Sequence, residues 1–268
     1  MPKSDNPLQD MKGSMGYAGP QENVPSPEFL ESALPGFKKP LNARRSIRVY
    51  DGKPIPQDIM RDCLKDATLA PSSSNLQPYE LYWVKDKEKK KELANACLAQ
   101  PAATTAGELV VVVARQDLWK TNLSKLLKKL TDEGRKELPA PVNAYYNKII
   151  PRVMKSDFLG FNNLVRRGMF WFKGLKEPII RTPVNQGDHR IWAHVQSSLA
   201  AQTLMLSLTA HGYDTCPMGG MDEKRVKKIL NLPSGAEVTM VISAGNRKPE
   251  GLYGPRVRLD DSDLIKEV

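Results

Sequence analysis

The run GELVVVVARQ, Gly107 to Gln116, limits what this chain can fold into more than any other stretch. Side chains of a strand alternate between two faces, so unbroken valines leave no face to turn toward water. Such a strand belongs inside a sheet that is covered on both sides. The surrounding sequence supplies the cover. IPQDIMRDCLKDATLA sets Ile59, Cys63, Leu64 and Ala67 at helical spacing, with a proline at its start and Pro71 at its end, which predicts an amphipathic helix. YELYWVK reads as a strand, KDKEKKKELANACLAQ as a helix, DEKRVKKILNLP as a short helix capped by Asp222, and EVTMVISAGN as another buried strand. Helices alternate with strands, so the expected class is α/β or α+β around one main sheet.

The longest helical signal is DHRIWAHVQSSLAAQTLMLSLTAHGYDTCPMGG, beginning near Asp188 and stopped by Gly212. It is rich in Ala, Ser and Leu and apolar over much of its circumference, which suits the centre of a fold or a dimer interface. Between about Asp117 and Pro183 lies a mostly helical region. There Leu123, Leu126, Leu127 and Leu130 form one stripe beside Lys125, Lys128 and Lys129. The stripe reads as a helix docked on its own protein, with a membrane-surface helix as the rarer alternative. Phe158, Phe161, Phe170, Trp171 and Phe172 follow, a cluster that either roofs a flat ligand or fills a core. Residues 1–40 are rich in Pro, Gly, Ser and Asn without apolar periodicity and read as an arm preceding a domain of residues 41–268.

With 268 residues and 40% hydrophobic content the chain can bury a substantial core. The formal charge of +10 invites a nucleic-acid reading. Much of that excess sits in runs such as Lys85 to Glu92, where Lys and Glu intersperse on a solvated face, and no zinc-finger spacing or RNP-type strand accompanies it. Cys63, Cys97 and Cys216 are too far apart for a disulfide framework or a closely spaced zinc motif, and His189, His194 and His211 are not spaced as a zinc pair. Without a signal-peptide core or a bilayer-length apolar run, the expected location is the cytoplasm, with no membrane, metal or nucleic-acid partner.

Two motifs carry the chemistry. NARRSIRVYDGKPIP places Arg44, Arg45 and Arg48 around Ser46, and Arg256 and Arg258 stand near the other end of the chain. Forked, permanently charged guanidinium groups suit a phosphate monoester, although paired arginines alone often serve only as surface charge. The second is APSSSNLQPYELYWV, in which Pro71 ends a helix and Ser72, Ser73, Ser74 and Asn75 form a loop dense in hydroxyl and amide groups.

Taken together, these motifs resemble those of the FMN-dependent nitroreductase family. Its amino-terminal signature is Arg-x-Ser-x-Arg or Lys, then a helix, then Ala-Pro-Ser-x-x-Asn-x-Gln-Pro-aromatic, matched by Arg44, Ser46, Arg48 and by Ala70, Pro71, Ser72, Asn75, Gln77, Pro78, Tyr79. GYDTCPMGGMDEKRV is similar to the family's Gly-x-x-x-x-Pro-x-x-Gly-Phe-Asp segment, and GPRVR to its closing basic pair. The resemblance spans Leu41 to about Leu259. It implies an α+β fold with a central mixed, mainly antiparallel sheet surrounded by helices, and a homodimer whose interface includes the long central helix.

The same resemblance implies an FMN site. Arg44, Ser46 and Arg48 with Arg256 and Arg258 would hold the phosphate and ribityl chain, with Arg45 as a neighbour. Pro71, Ser72, Ser73 and Asn75 would line the isoalloxazine, in the family from the other subunit. Gln100 matches a polar ring contact, and Pro217, Met218, Gly219 and Gly220 would set backbone against the ring, with the Gly219 amide near flavin N5. Some members carry an acidic residue where this chain has Gly219, so only the backbone role transfers. The implied activity is NAD(P)H-dependent reduction of nitroaromatic, quinone or related acceptors by ping-pong hydride transfer, with no catalytic side chain nominated because the flavin carries the redox chemistry. No G-x-G-x-x-G opens a βα unit, consistent with a nicotinamide that visits a shared cleft. A specialised flavin dehydrogenase or dehalogenase of the same fold, a non-catalytic flavin-binding protein, and a basic nucleic-acid or membrane-associated module are the competing readings.

Overall fold

The computed structural model describes residues 27–132, 137–155, 168, 171–172, 174–176, 178 and 180–268. Phe158, Phe161 and Phe170 of the aromatic cluster, and the first 26 residues of the arm, lie outside the described residues. In chain order the main elements are α1 (Pro27–Ala43), α2 (Gln57–Ala67), β1 (Tyr79–Trp83), α3 (Lys87–Ala96), β2 (Glu108–Ala114), α4 (Trp119–Asp132), α5 (Gln186–Ala210), β3 (Asp214–Met218), α6 (Glu223–Ile229) and β4 (Glu237–Gly245). Shorter helical turns occupy Pro101–Thr104, Ala140–Ala144, Tyr145–Ile149 and Ile150–Met154.

The valine run becomes β2, buried along its whole length at the middle of a four-stranded sheet of order β1-β2-β4-β3. Its side chains divide between two cores as strand alternation requires. Leu109, Val111 and Val113 pack with α3 and α6 residues such as Leu93 and Val226, together with Cys216, Met218 and Val241. Val110 and Val112 pack on the opposite face against Met60 and Cys63 of α2 and Leu204 and Leu208 of α5. Each valine so buried contributes about 1.5–3 kcal/mol. All pairings between these strands are antiparallel, so the sheet itself is antiparallel and not mixed; an isolated parallel bridge outside the strands links Ser46 to Thr215.

Helix α5 starts two residues before the position read from the sequence. Asn185 caps it by accepting from the Asp188 amide at 3.0 Å, while the Asp188 carboxylate accepts from the Val184 and Asn185 amides at 2.8 and 3.3 Å. Gly212, at φ +86°, turns the chain out of it. Ala193, Ala200, Ala201, Leu204 and Leu208 face the interior, whereas Ile191, Val195 and Leu199, four residues apart, are exposed at 66%, 52% and 41%. The leucine stripe of α4 docks on its own protein: Leu123 is buried and Leu126, Leu127 and Leu130 join a satellite core with Leu76, Val142, Tyr146, Ile150 and Met154.

Two elements were not read from the sequence. The end of the arm is helical, as α1, and packs against α5. β3 carries little strand signal in the sequence, since Pro217 lies within DTCPM. It is tolerated here at the sheet's edge, paired only with β4 along its length. No described helix is long and apolar enough to cross a membrane.

Candidate functional site

The Arg44–Arg48 segment leaves α1 and enters the fold beside β3. Ile47, fully buried, donates its amide to the Thr215 carbonyl at 3.1 Å, and Arg48 donates its amide to the Gly251 carbonyl at 2.9 Å. Lys248 donates to the Val49 carbonyl at 3.0 Å, and the Tyr50 hydroxyl meets Ser243 Oγ at 3.0 Å under β4. These contacts clamp the beginning of the domain to the segment that follows β4. Gly251 is required at the crossing, since a Cβ there would lie 2.5 Å from the Val49 carbonyl oxygen.

The clamp forms a cleft of about 240 Å³ lined by Arg44, Arg45, Ser46, Arg48, Arg256 and Arg258, with Leu252, Tyr253, Pro255 and Val257. Arg256 Nη2 donates to the Asn42 and Arg44 carbonyls at 2.6 and 2.8 Å, and Arg45 Nη2 to the Gly254 carbonyl at 2.9 Å. The Arg48 guanidinium sits 5.0 Å from the centre of the Tyr253 ring. Among the described residues no carboxylate pairs with any of these five arginines, in contrast to Arg115, Arg190 and Arg247, each of which has an acidic partner. Burial, then the charges of Arg256 and Arg258, hold the Arg44 guanidinium below its ordinary pKa. Five crowded cations with spare donors have the chemistry that suits a compact dianion.

Cys216 adjoins this cleft. Burial pushes its thiol pKa up, against the pull of Arg48, Ser46 and Arg44, so the group stays a thiol.

From the cleft, β3 runs away from the Ser46 bridge toward Pro217, Met218, Gly219 and Gly220. By strand rise, Thr215 and Gly219 are about 13 Å apart. Met218 is buried, Gly219 and Gly220 are exposed, and among the described residues nothing beyond its two chain neighbours lies within 4 Å of where a Gly219 side chain would begin. Gln100 meets this turn, donating Nε2 to the Gly220 carbonyl at 3.0 Å and to the Cys97 carbonyl at 2.9 Å. The arginine cluster, the Gly219 turn and Gln100 therefore lie along one edge of the sheet.

Pro71, Ser72, Ser73 and Asn75 do not line the arginine cleft. Their loop leads into β1, the opposite edge strand, at the end where Tyr79 pairs with Ala114. The Ser46 bridge lies toward the other end of the strands, where Thr215 pairs with Ala244. Three inter-strand steps, about 14 Å, separate the two edges. Sequence reading also passed over Tyr253, which carries no local signal beyond its place before GPRVR, and over the groups that hold the serine loop from a distance: Asn122, Tyr145 and Gln196.

Residues 41–246 match the family model described as the Nitroreductase family. The chain is 27% identical over 233 residues to a Thermus thermophilus NADH dehydrogenase, covering 86% of this chain and 97% of that protein. It is 27% identical over 232 residues to a Bacillus subtilis protein assigned as the NAD(P)H nitroreductase YdgI, covering 84% and 94%. Among solved structures, a nitroreductase-like protein from Streptococcus mutans superposes with a TM-score of 0.65 at 22% identity, over 89% of this chain and 99% of that one. A protein from Exiguobacterium sibiricum, assigned as a nitroreductase and crystallised in complex with FMN, superposes at 0.61 with 24% identity, over 87% and 97%.

Proposed function

The chain belongs to the nitroreductase family, and from that premise we propose that it is a homodimeric, FMN-dependent oxidoreductase that takes hydride from NADH or NADPH and reduces nitroaromatic, quinone or related acceptors. The observation that carries this reading is the cleft in which guanidinium groups from both ends of the domain meet with no carboxylate among them. A flavin phosphate suits that donor set, and the ring then lies along β3 toward Gly219, whose open side leaves room for a flat ligand. Bound FMN would supply the two-electron redox chemistry.

The residues of this chain bind and orient. Arg44, Arg48, Arg256 and Arg258, with Ser46 and Arg45, neutralise the phosphate and anchor its end of the cofactor. Charge-assisted hydrogen bonds of this kind contribute about 1.5–3 kcal/mol each. Gln100 holds the Gly219–Gly220 turn through the Gly220 carbonyl, fixing the backbone that faces the ring. Pro71, Ser72, Ser73 and Asn75, remote from the cleft of their own chain, complete the ring side from a second copy. The exposed Ile191, Val195 and Leu199 of α5 suit the contact that brings that copy in. The arm and the 117–183 insertion are additions to this catalytic domain.

The test is direct. Purified protein reconstituted with FMN turns yellow, bleaches anaerobically on addition of NADH or NADPH, and recovers its colour when a nitroaromatic or quinone is added. Because donor and acceptor share one cleft, double-reciprocal plots run parallel as the second substrate is varied. Protein that takes up FMN yet stays yellow under both nicotinamides is a flavin-binding protein and not a reductase.

A further inference from the structure

The loop from Ser72 to Gln77 has three non-glycine residues in the left-handed region: Ser74 and Asn75 at φ +54° and Gln77 at +45°. Asn enters that region readily, but Ser and Gln do so uncommonly and at a cost that their surroundings offset. Some restraints are internal: the Gln77 amide donates to Ser72 Oγ at 3.0 Å, Gln77 Nε2 to Asn75 Oδ1 at 2.6 Å, and the Asn75 and Leu76 amides to the Ser72 and Ser73 carbonyls at 2.8 and 3.2 Å. Others come from afar. Asn122 on α4 donates Nδ2 to both the Leu76 and Gln77 carbonyls, each at 3.0 Å. Two carbonyl acceptors can be served only by the amide's NH₂, so its orientation is determined by its partners. The Tyr145 hydroxyl meets Ser74 Oγ at 2.8 Å, and Gln196 on α5 accepts from the Ser73 amide at 2.8 Å. Leu76, 1% exposed, is swallowed by the satellite core formed by α4 and the helical turns after it.

We infer that Asn122 and Tyr145 are positioning residues, through which the 117–183 insertion sets the conformation of the loop that presents Ser72, Ser73 and Asn75 to the flavin ring. The inference rests on the reading of that loop as the ring-facing wall. The insertion is thereby part of the redox site: its core closes around Leu76, Asn122 occupies two of the loop's backbone acceptors, and Tyr145 pairs with a loop hydroxyl. A change in the insertion is then felt at the ring without any residue touching the cofactor.

Asn122→Leu removes both donors while keeping the same branched heavy-atom skeleton, and Tyr145→Phe deletes one hydroxyl. Hydrogen exchange on the full-length variants is expected to show the 72–78 segment exchanging at least about tenfold faster, with residues 44–50 and 252–258 unchanged. After FMN loading, the visible circular dichroism of the flavin changes and kcat with the nicotinamide falls about tenfold, while FMN affinity stays within about threefold because the arginine cleft is intact. Unchanged exchange in both variants overturns the clamp, and faster exchange with an unaltered flavin spectrum and kcat overturns the positioning role. If Asn122→Leu does not fold, Tyr145→Phe decides alone. Wild-type protein that takes up no FMN overturns the functional reading and the ring-facing role with it, an outcome distinguishable because it precedes any variant.

Discussion

Arg44 is half-buried beside Arg256 and Arg258, a placement that disfavours its charge and depresses its pKa. A folded protein keeps such a cluster where an anion offsets the repulsion, and this gives the arginines their predicted weight. Arg256→Ala is expected to weaken FMN binding by about 1.5–3 kcal/mol, or some 10–150-fold, measured by fluorescence titration in buffer free of phosphate. An affinity within twofold of wild type would remove Arg256 from the site. Asp117 shows the opposite arrangement, because paired hydrogen bonds from Arg115 hold its carboxyl below the usual value of 3.8 against the opposing effect of burial. A depressed folded-state pKa means stabilisation present above the unfolded value and lost as pH falls below it. Melting temperature should therefore drop as pH is lowered through about 4, and Arg115→Met should flatten that acid limb; a limb of unchanged steepness would assign the acid sensitivity to other carboxylates.

Among the elements, the crossing of the 46–50 segment over the segment after β4 decides whether the site exists. It depends on Gly251, where a Cβ would meet the Val49 carbonyl oxygen at 2.5 Å and the Val49 amide nitrogen at 2.8 Å. Gly251→Ala is expected to push the tail outward, cost about 1–3 kcal/mol of stability, and lower FMN affinity more than Arg256→Ala does, since all of the tail's donors move together. Denaturant melts paired with FMN titration check both halves, and retention of full affinity would show that the tail does not need the crossing. How legible these elements were varies with how local their causes are. The Asp222 cap, the Gly212 stop and the two-sided burial of β2 come from neighbours in sequence and could be read directly. β3 could not, because a proline is acceptable in a strand only at an edge, and edge position is a fact about the whole sheet.

For the whole molecule, the central issue is that the arginine cleft and the serine loop sit on opposite sheet edges of one chain. In the proposed dimer, a site that uses both is assembled from two copies. The apolar ridge of Ile191, Val195 and Leu199 on α5 is the surface proposed for that contact. Val195→Asp is expected to convert a particle of twice 29.9 kDa into a monomer by light scattering, and to lose FMN in the same step. A monomeric variant that holds FMN as tightly as wild type would place the serine loop outside the flavin site.

The amino-acid sequence determined the alternation of helices and strands, the buried centre of the sheet and the arginine-rich segments at the two ends of the domain, because periodicity, caps and charge are properties of short segments. Only the tertiary structure decided that Arg44 and Arg256 share a cleft, that the serine loop lies on the far edge, and that Asn122 and Tyr145 reach it from the insertion. Those facts depend on strand order and on contacts between residues tens to hundreds of positions apart, which follow from how the sheet and its helices pack and leave no trace in the spacing of any one segment.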